Sequence, residues 1–116
     1  MAVDDSATIR QMVSLVLQDA GYQVVVAVNG LDALSKLKGL DPSLFFTDIN
    51  MPDMDGIEFT RRLRGMPQFK FTPIVILTTE SHPEKKQEGK AAGATGWIVK
   101  PFRPEQILAV VKKVVR

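Results

Sequence analysis

Short apolar runs of strand length alternate with segments of helical period along this chain. Ile9, Met12, Val13, Val16 and Leu17 recur at i, i+3, i+4, i+7 and i+8, which predicts a first helix with Ser6 as N-cap and an end at Gly21. The β-branched run at 22–28 (YQVVVAV) reads as a strand, and Asn29-Gly30 opens a short helix carrying Leu31, Leu34 and Leu37. A third strand falls at 43–46 (SLFF), and Asp55-Gly56 caps a helix with Phe59 and Leu63 on one face. The continuous apolar run at 73–78 (PIVILT) fits a buried central strand. Ser81 and Glu84 then have capping-box spacing, with Pro83 in the first turn. That fourth helix offers mainly Ala91 and Ala92 to a core, so it is expected to be the most loosely held. A fifth strand lies at 95–99 (TGWIV), and Pro104 starts a last helix with Ile107, Leu108, Val111, Val114 and Val115 facing inward.

With the AVDDS stretch at 2–6 as the tail of a first strand, five strands alternate with five helices. This predicts one α/β domain over residues 1–116, a doubly wound parallel sheet with helices on both faces. Composition leaves that picture unchanged: 45% hydrophobic and 24% charged residues are ordinary for a globular domain. The absence of cysteine removes disulfides, thiolate metal sites and cysteine nucleophiles, and suits a reducing compartment. No signal-peptide pattern and no apolar run near the ~20 residues that cross a bilayer is present, so a soluble cytoplasmic protein without membrane contact is expected. Fifteen Lys and Arg against thirteen Asp and Glu leave a net charge of +2. The basic residues cluster in three separate segments, at Arg61, Arg62 and Arg64, at Lys85 and Lys86, and at Lys112, Lys113 and Arg116. They read as solvated helix faces and not as a nucleic-acid site.

Ligands of open parallel sheets bind at the carboxyl ends of the strands. Strand 1 ends in Asp4-Asp5, strand 3 in Asp48, strand 4 in Thr78, and strand 5 runs into Lys100-Pro101. Three carboxylates at one edge repel each other and call for a cation; an all-oxygen donor set with room for water suits Mg²⁺. A carboxylate beside a metal, a lysine and a threonine hydroxyl is arranged to receive a phosphoryl group.

In VDDS at 3–6, TDINMPDMDG at 47–56, ILTTE at 76–80 and GWIVKPF at 96–102, the sequence resembles the receiver domains of two-component response regulators. It is most similar to the single-domain chemotaxis regulators of the CheY type, and the resemblance covers nearly the whole chain. It implies a flavodoxin-like strand order of 2-1-3-4-5 and a phosphorylation-activated switch that is not an enzyme in the ordinary sense. Asp48 would accept a phosphoryl group from a sensor histidine kinase. Asp5, Asp48 and the Asn50 backbone carbonyl would hold Mg²⁺, with Asp4 acting through water. Lys100 would pair with phosphoryl oxygens, and Pro101 after it would be cis. Thr78 and Trp97 would be the switch residues, and Asn50 and Glu80 would tune water attack. A downstream protein such as the flagellar motor switch would read the result.

Strand 1 departs from the family, with only Met1, Ala2 and Val3 before the acidic pair, as expected of a chain trimmed or engineered at this end. Phe45 and Phe46 either overpack the core or fill space left by the short strand. Exchange of segments between copies, giving a non-native oligomer, follows as an expectation. His82 reads as an exposed loop residue, and Met51, Met54 and Met66 as gap fillers. Three rivals stand beside the switch. A nucleotide or flavin binder needs a phosphate cradle where Asp4-Asp5 stands, and an Asp-nucleophile phosphatase needs a second acid where Asn50 stands. The third is an engineered or truncated receiver kept as a scaffold without signalling activity.

Overall fold

The computed structural model describes residues 1–79 and 82–115. Five strands, β1 (Ala2–Val3), β2 (Val26–Ala27), β3 (Phe45–Thr47), β4 (Ile74–Thr78) and β5 (Gly96–Val99), form one parallel sheet of order β2-β1-β3-β4-β5. Five helices alternate with them: α1 (Ala7–Asp19), α2 (Gly30–Lys36), α3 (Gly56–Arg64), α4 (Pro83–Ala92) and α5 (Pro104–Val114). A 3₁₀ turn at Pro67–Phe69 leads into β4. This is the expected flavodoxin-like architecture. Among the described residues no helix is long and apolar enough to cross a membrane.

The helix starts follow their capping chemistry. The Ser6 Oγ accepts the Ile9 N–H at 3.3 Å, the Asn29 side chain the Asp32 N–H at 2.8 Å, and Asp55 the Glu58 N–H at 2.8 Å. The α1 end is closed by Gly21 at φ 93°, where the Gly21 and Tyr22 N–H groups turn back to Gln18 and Leu17 carbonyls. Ser81, and with it the expected capping box, lies outside the described residues; His82 precedes Pro83 at the helix start and is exposed.

Strand alternation splits the core between the two faces of the sheet. Phe46, Val75, Leu77 and Ile98 face α1 and α5, meeting Val13, Leu17, Ile107 and Val111. Phe45 and Ile74 face the other way, toward Ala33, Leu37, Phe59, Leu63 and Phe69. Phe45 does not overpack: its ring sits edge-on to Phe59 at 6.0 Å and to Phe69 at 5.2 Å, a favourable aromatic geometry. Nor does Phe46 fill the space before β1. A groove of about 430 Å³ remains at the amino ends of the strands, lined by Met1, Leu17, Val25, Leu44, Phe46 and Val111 among others. Met51 and Met54 are buried and Met66 partly so, as gap fillers.

Several expectations need correction. The 22–28 run pairs only at Val26–Ala27, because its partner β1 offers only Ala2 and Val3. Leu31 is exposed; α2 buries Gly30 and Ala33, while Leu37 at its C-cap is buried and Leu34 partly so, as expected. In α4, Ala91 points outward and the buried pair is Gly89 and Ala92, three residues apart. Arg64 is not a solvated helix-face residue. Its guanidinium is half-buried and donates to the Gly93, Phe69 and Thr72 carbonyls at 3.0, 2.7 and 2.6 Å.

Candidate functional site

The chain leaves β1 toward β2 on one side of the sheet and returns to β3 on the other, so a crevice opens where Asp4-Asp5 and Asp48 emerge. One oxygen from each of Asp4, Asp5 and Asp48 can be chosen so that all lie within 4.8 Å of one another. Asp4 and Asp48 are only 3% and 7% exposed, while Asp5 opens to solvent.

Each buried carboxylate is held by backbone and by one lysine. The Ser6 N–H donates to Asp4 Oδ1 at 2.9 Å, and the Ile49 N–H donates to Asp48 Oδ1 at 2.8 Å. Lys100 Nζ donates to Asp4 Oδ2 at 2.7 Å and lies 3.5 Å from Asp48 Oδ2. Lys100 reaches them because the β4–β5 ladder continues through its own N–H to the Thr78 carbonyl, at 2.8 Å. The peptide between Lys100 and Pro101 is cis, as expected. Burial, and then the charge of Asp4, push the Asp48 carboxyl above its ordinary pKa; Lys100 and the Ile49 N–H pull the other way without cancelling the shift.

Three carboxylates against one ammonium leave the crevice negative. That excess, with an all-oxygen donor set and no imidazole, fits a hard divalent cation such as Mg²⁺. Thr78 is fully buried at the end of β4, two strands from Asp4. Asn50 is exposed, two residues beyond Asp48. Trp97 stands apart from the acids, on β5 opposite Ile76. Glu80 lies outside the described residues.

Two residues that build the site were not singled out for it in the sequence. The Arg10 guanidinium donates to the Asp4 backbone carbonyl at 2.7 Å, anchoring the turn after β1 from the first turns of α1. Gly56 packs against the Asp48–Ile49 backbone, where a Cβ would fall 1.8 Å from the Asp48 carbonyl oxygen, and its N–H donates to the Ile49 carbonyl at 2.9 Å. The Asp-Gly pair at 55–56 was legible as a helix cap; the close approach behind Asp48 was not.

An acidic trio, a lysine and a threonine at the carboxyl edge of a 2-1-3-4-5 sheet make up the arrangement of a receiver domain. The chain belongs to the response regulator receiver domain family, which matches residues 1–112. It is 34% identical over 112 residues to the protein PilG of Pseudomonas aeruginosa, covering 97% of this chain and 83% of that protein. It is 36% identical over 107 residues to the chemotaxis protein CheY1 of Helicobacter pylori, covering 90% and 86%. The solved structure of the chemotaxis protein CheY4 of Vibrio cholerae superposes with a TM-score of 0.93 at 56% identity, covering 98% of this chain and 95% of that one. The chain is therefore a CheY-like receiver of the two-component type, a signalling regulator and not a classical enzyme.

Proposed function

We propose that Asp48 accepts a phosphoryl group from a sensor histidine kinase and that the chain then signals through protein contacts, in chemotaxis. The observation that carries this reading is the convergence of Asp4, Asp5, Asp48 and Lys100 in one crevice of net negative charge. The Asp48 carboxylate attacks phosphorus; a P–O bond forms, the P–N bond to the kinase histidine breaks, and the nitrogen keeps the electron pair. Hydrolysis reverses the gain, with water taking the phosphoryl group as phosphate and returning the carboxylate.

This chain's residues divide the work. The Ile49 N–H holds one Asp48 oxygen, so the carboxylate is oriented before a donor arrives. Lys100, now shared between Asp4 and Asp48, pairs with the incoming phosphoryl oxygens. The Thr78 hydroxyl meets the same group from β4, and Trp97 follows it as the aromatic switch, shifting the population between two conformations that a partner such as the flagellar motor switch distinguishes. Asp5, Asp48 and the Asn50 carbonyl would hold Mg²⁺, with Asp4 behind them; the ion would neutralise charge on the transferring oxygens.

Trp97 is the single tryptophan, so its emission reports on the site without labelling. Titration with Mg²⁺ is expected to give a saturable change in that emission, weakened by Asp5→Asn. A folded chain with no response to Mg²⁺ would argue for a receiver scaffold that has lost its chemistry.

A further inference from the structure

Asp5 is the acid of the crevice that nothing holds by its carboxylate. It opens to solvent, and no hydrogen bond or ion pair among the described residues reaches its side-chain oxygens. Its backbone is held on both sides all the same. Peptide units are planar, so the two planes that flank an α-carbon set the direction in which its side chain leaves. The plane before Asp5 carries the Asp4 carbonyl, which accepts from the Arg10 guanidinium at 2.7 Å. The plane after it carries the Ser6 N–H, which donates to Asp4 Oδ1 at 2.9 Å. Between these two clamps an Asp5 oxygen stays within 4.8 Å of oxygens of Asp4 and Asp48.

The clamps differ in what they depend on. The Ser6 bond ends on the Asp4 carboxylate, whose other oxygen is tied to Lys100 at 2.7 Å, so it moves with any charge that enters the crevice. The Arg10 bond ends on backbone and starts from α1, a helix seated in the core by Val13 and Leu17. A guanidinium keeps its proton throughout the working pH range, so this clamp stays closed whatever the carboxylates do. As a charge alone, Arg10 would repel a cation bound nearby. Geometry and charge thus act in opposite directions on a metal, and the sign of the effect tells them apart.

Resting on the reading that Asp5 and Asp48 hold Mg²⁺, we propose that Arg10 is a positioning residue for that ion. By pinning the Asp4–Asp5 peptide it keeps the otherwise unheld Asp5 carboxylate turned toward Asp4 and Asp48.

The experiment compares the native chain with Arg10→Met, which keeps much of the stem and removes the donors, and with Arg10→Lys, which restores one donor and the charge. Amide exchange is read first, without metal. Exchange at the Ser6 N–H becomes several-fold faster in Arg10→Met, while the Val111 N–H in α5 exchanges as in the native chain. Titration with Mg²⁺ is read second, through Trp97 emission. Arg10→Met weakens Mg²⁺ binding about ten-fold, the scale of losing a partner that orients a metal ligand, and Arg10→Lys recovers part of it. With acetyl phosphate, the Mg²⁺ concentration that gives half the maximal phosphorylation rate rises by the same factor, and the rate at saturating Mg²⁺ stays near the native value. Arg64→Met, destabilised far from the crevice, binds Mg²⁺ as the native chain does. If Arg10→Met does not fold, Arg10→Lys carries the comparison. Unchanged exchange at Ser6 overturns the clamp. Unchanged or tighter Mg²⁺ binding in Arg10→Met, or an equal weakening in Arg64→Met, overturns the positioning role. A native chain that does not respond to Mg²⁺ counts against the metal reading instead, and the exchange arm still decides the clamp.

Discussion

Lys100 Nζ donates its short bond, 2.7 Å, to Asp4 and stands 3.5 Å from Asp48. The lysine that follows β5 thus compensates the acid that follows β1 more closely than the proposed phosphoacceptor after β3, and Asp48 is left the less compensated of two buried carboxylates.

Removing the lysine unbalances both acids. Lys100→Met is expected to destabilise the metal-free chain by about 3 kcal/mol, the scale of a buried pair losing one partner. Urea denaturation checks this, and saturating Mg²⁺ is expected to recover more stability in the variant than in the native chain.

Asp48 gives stability a definite dependence on pH. Its folded pKa lies above its ordinary value, chiefly through burial. The unfolded chain therefore releases this proton first, and the contribution is present at low pH and lost as pH rises through the raised pKa. Asp48→Asn, which cannot ionise, is expected to be more stable than the metal-free native chain at neutral pH, with the advantage shrinking as pH falls through the raised pKa. Thermal melts at a series of pH values measure the trend.

Gly56 is placed by close approach. Its α-carbon hydrogen faces the Asp48 carbonyl, and a methyl group there would overlap that oxygen. Gly56→Ala is expected to cost about 3 kcal/mol or more, because the contact is backbone and has no side chain that can move aside. Denaturant midpoints of the variant against the native chain test it.

Arg64 holds four segments together through the carbonyls of Gly93, Phe69 and Thr72. Arg64→Met keeps much of the stem and removes the donors, and is expected to lose roughly 2–4 kcal/mol. Hydrogen exchange would show the loss at the α4–β5 and β4 starts more than at the acidic crevice.

The sequence carried the architecture because the strand and helix periods were clean and the caps at Ser6, Asn29 and Asp55 were made by side chains that favour them. It carried the acidic residues because they directly follow the apolar runs of β1 and β3. What it did not carry was set by tertiary contact. Leu31 and Ala91 follow the apolar count, but helix phase is decided by what the neighbouring layer admits, and Ala33 and Gly89 fit there. Arg64 reads as one of three similar arginines until the carbonyls at three other element ends converge on it. Gly56 and Arg10 support the site through backbone geometry that no spacing encodes.

The central claim is that Asp48 takes up a phosphoryl group. Intact-mass analysis of the chain incubated with acetyl phosphate and Mg²⁺, followed by borohydride trapping and peptide mapping, tests it most directly. One phosphoryl group located at Asp48, absent without Mg²⁺ and absent in Asp48→Asn, is the predicted result. A folded native chain that gains no phosphoryl group, or gains it at a residue other than Asp48, would contradict the account.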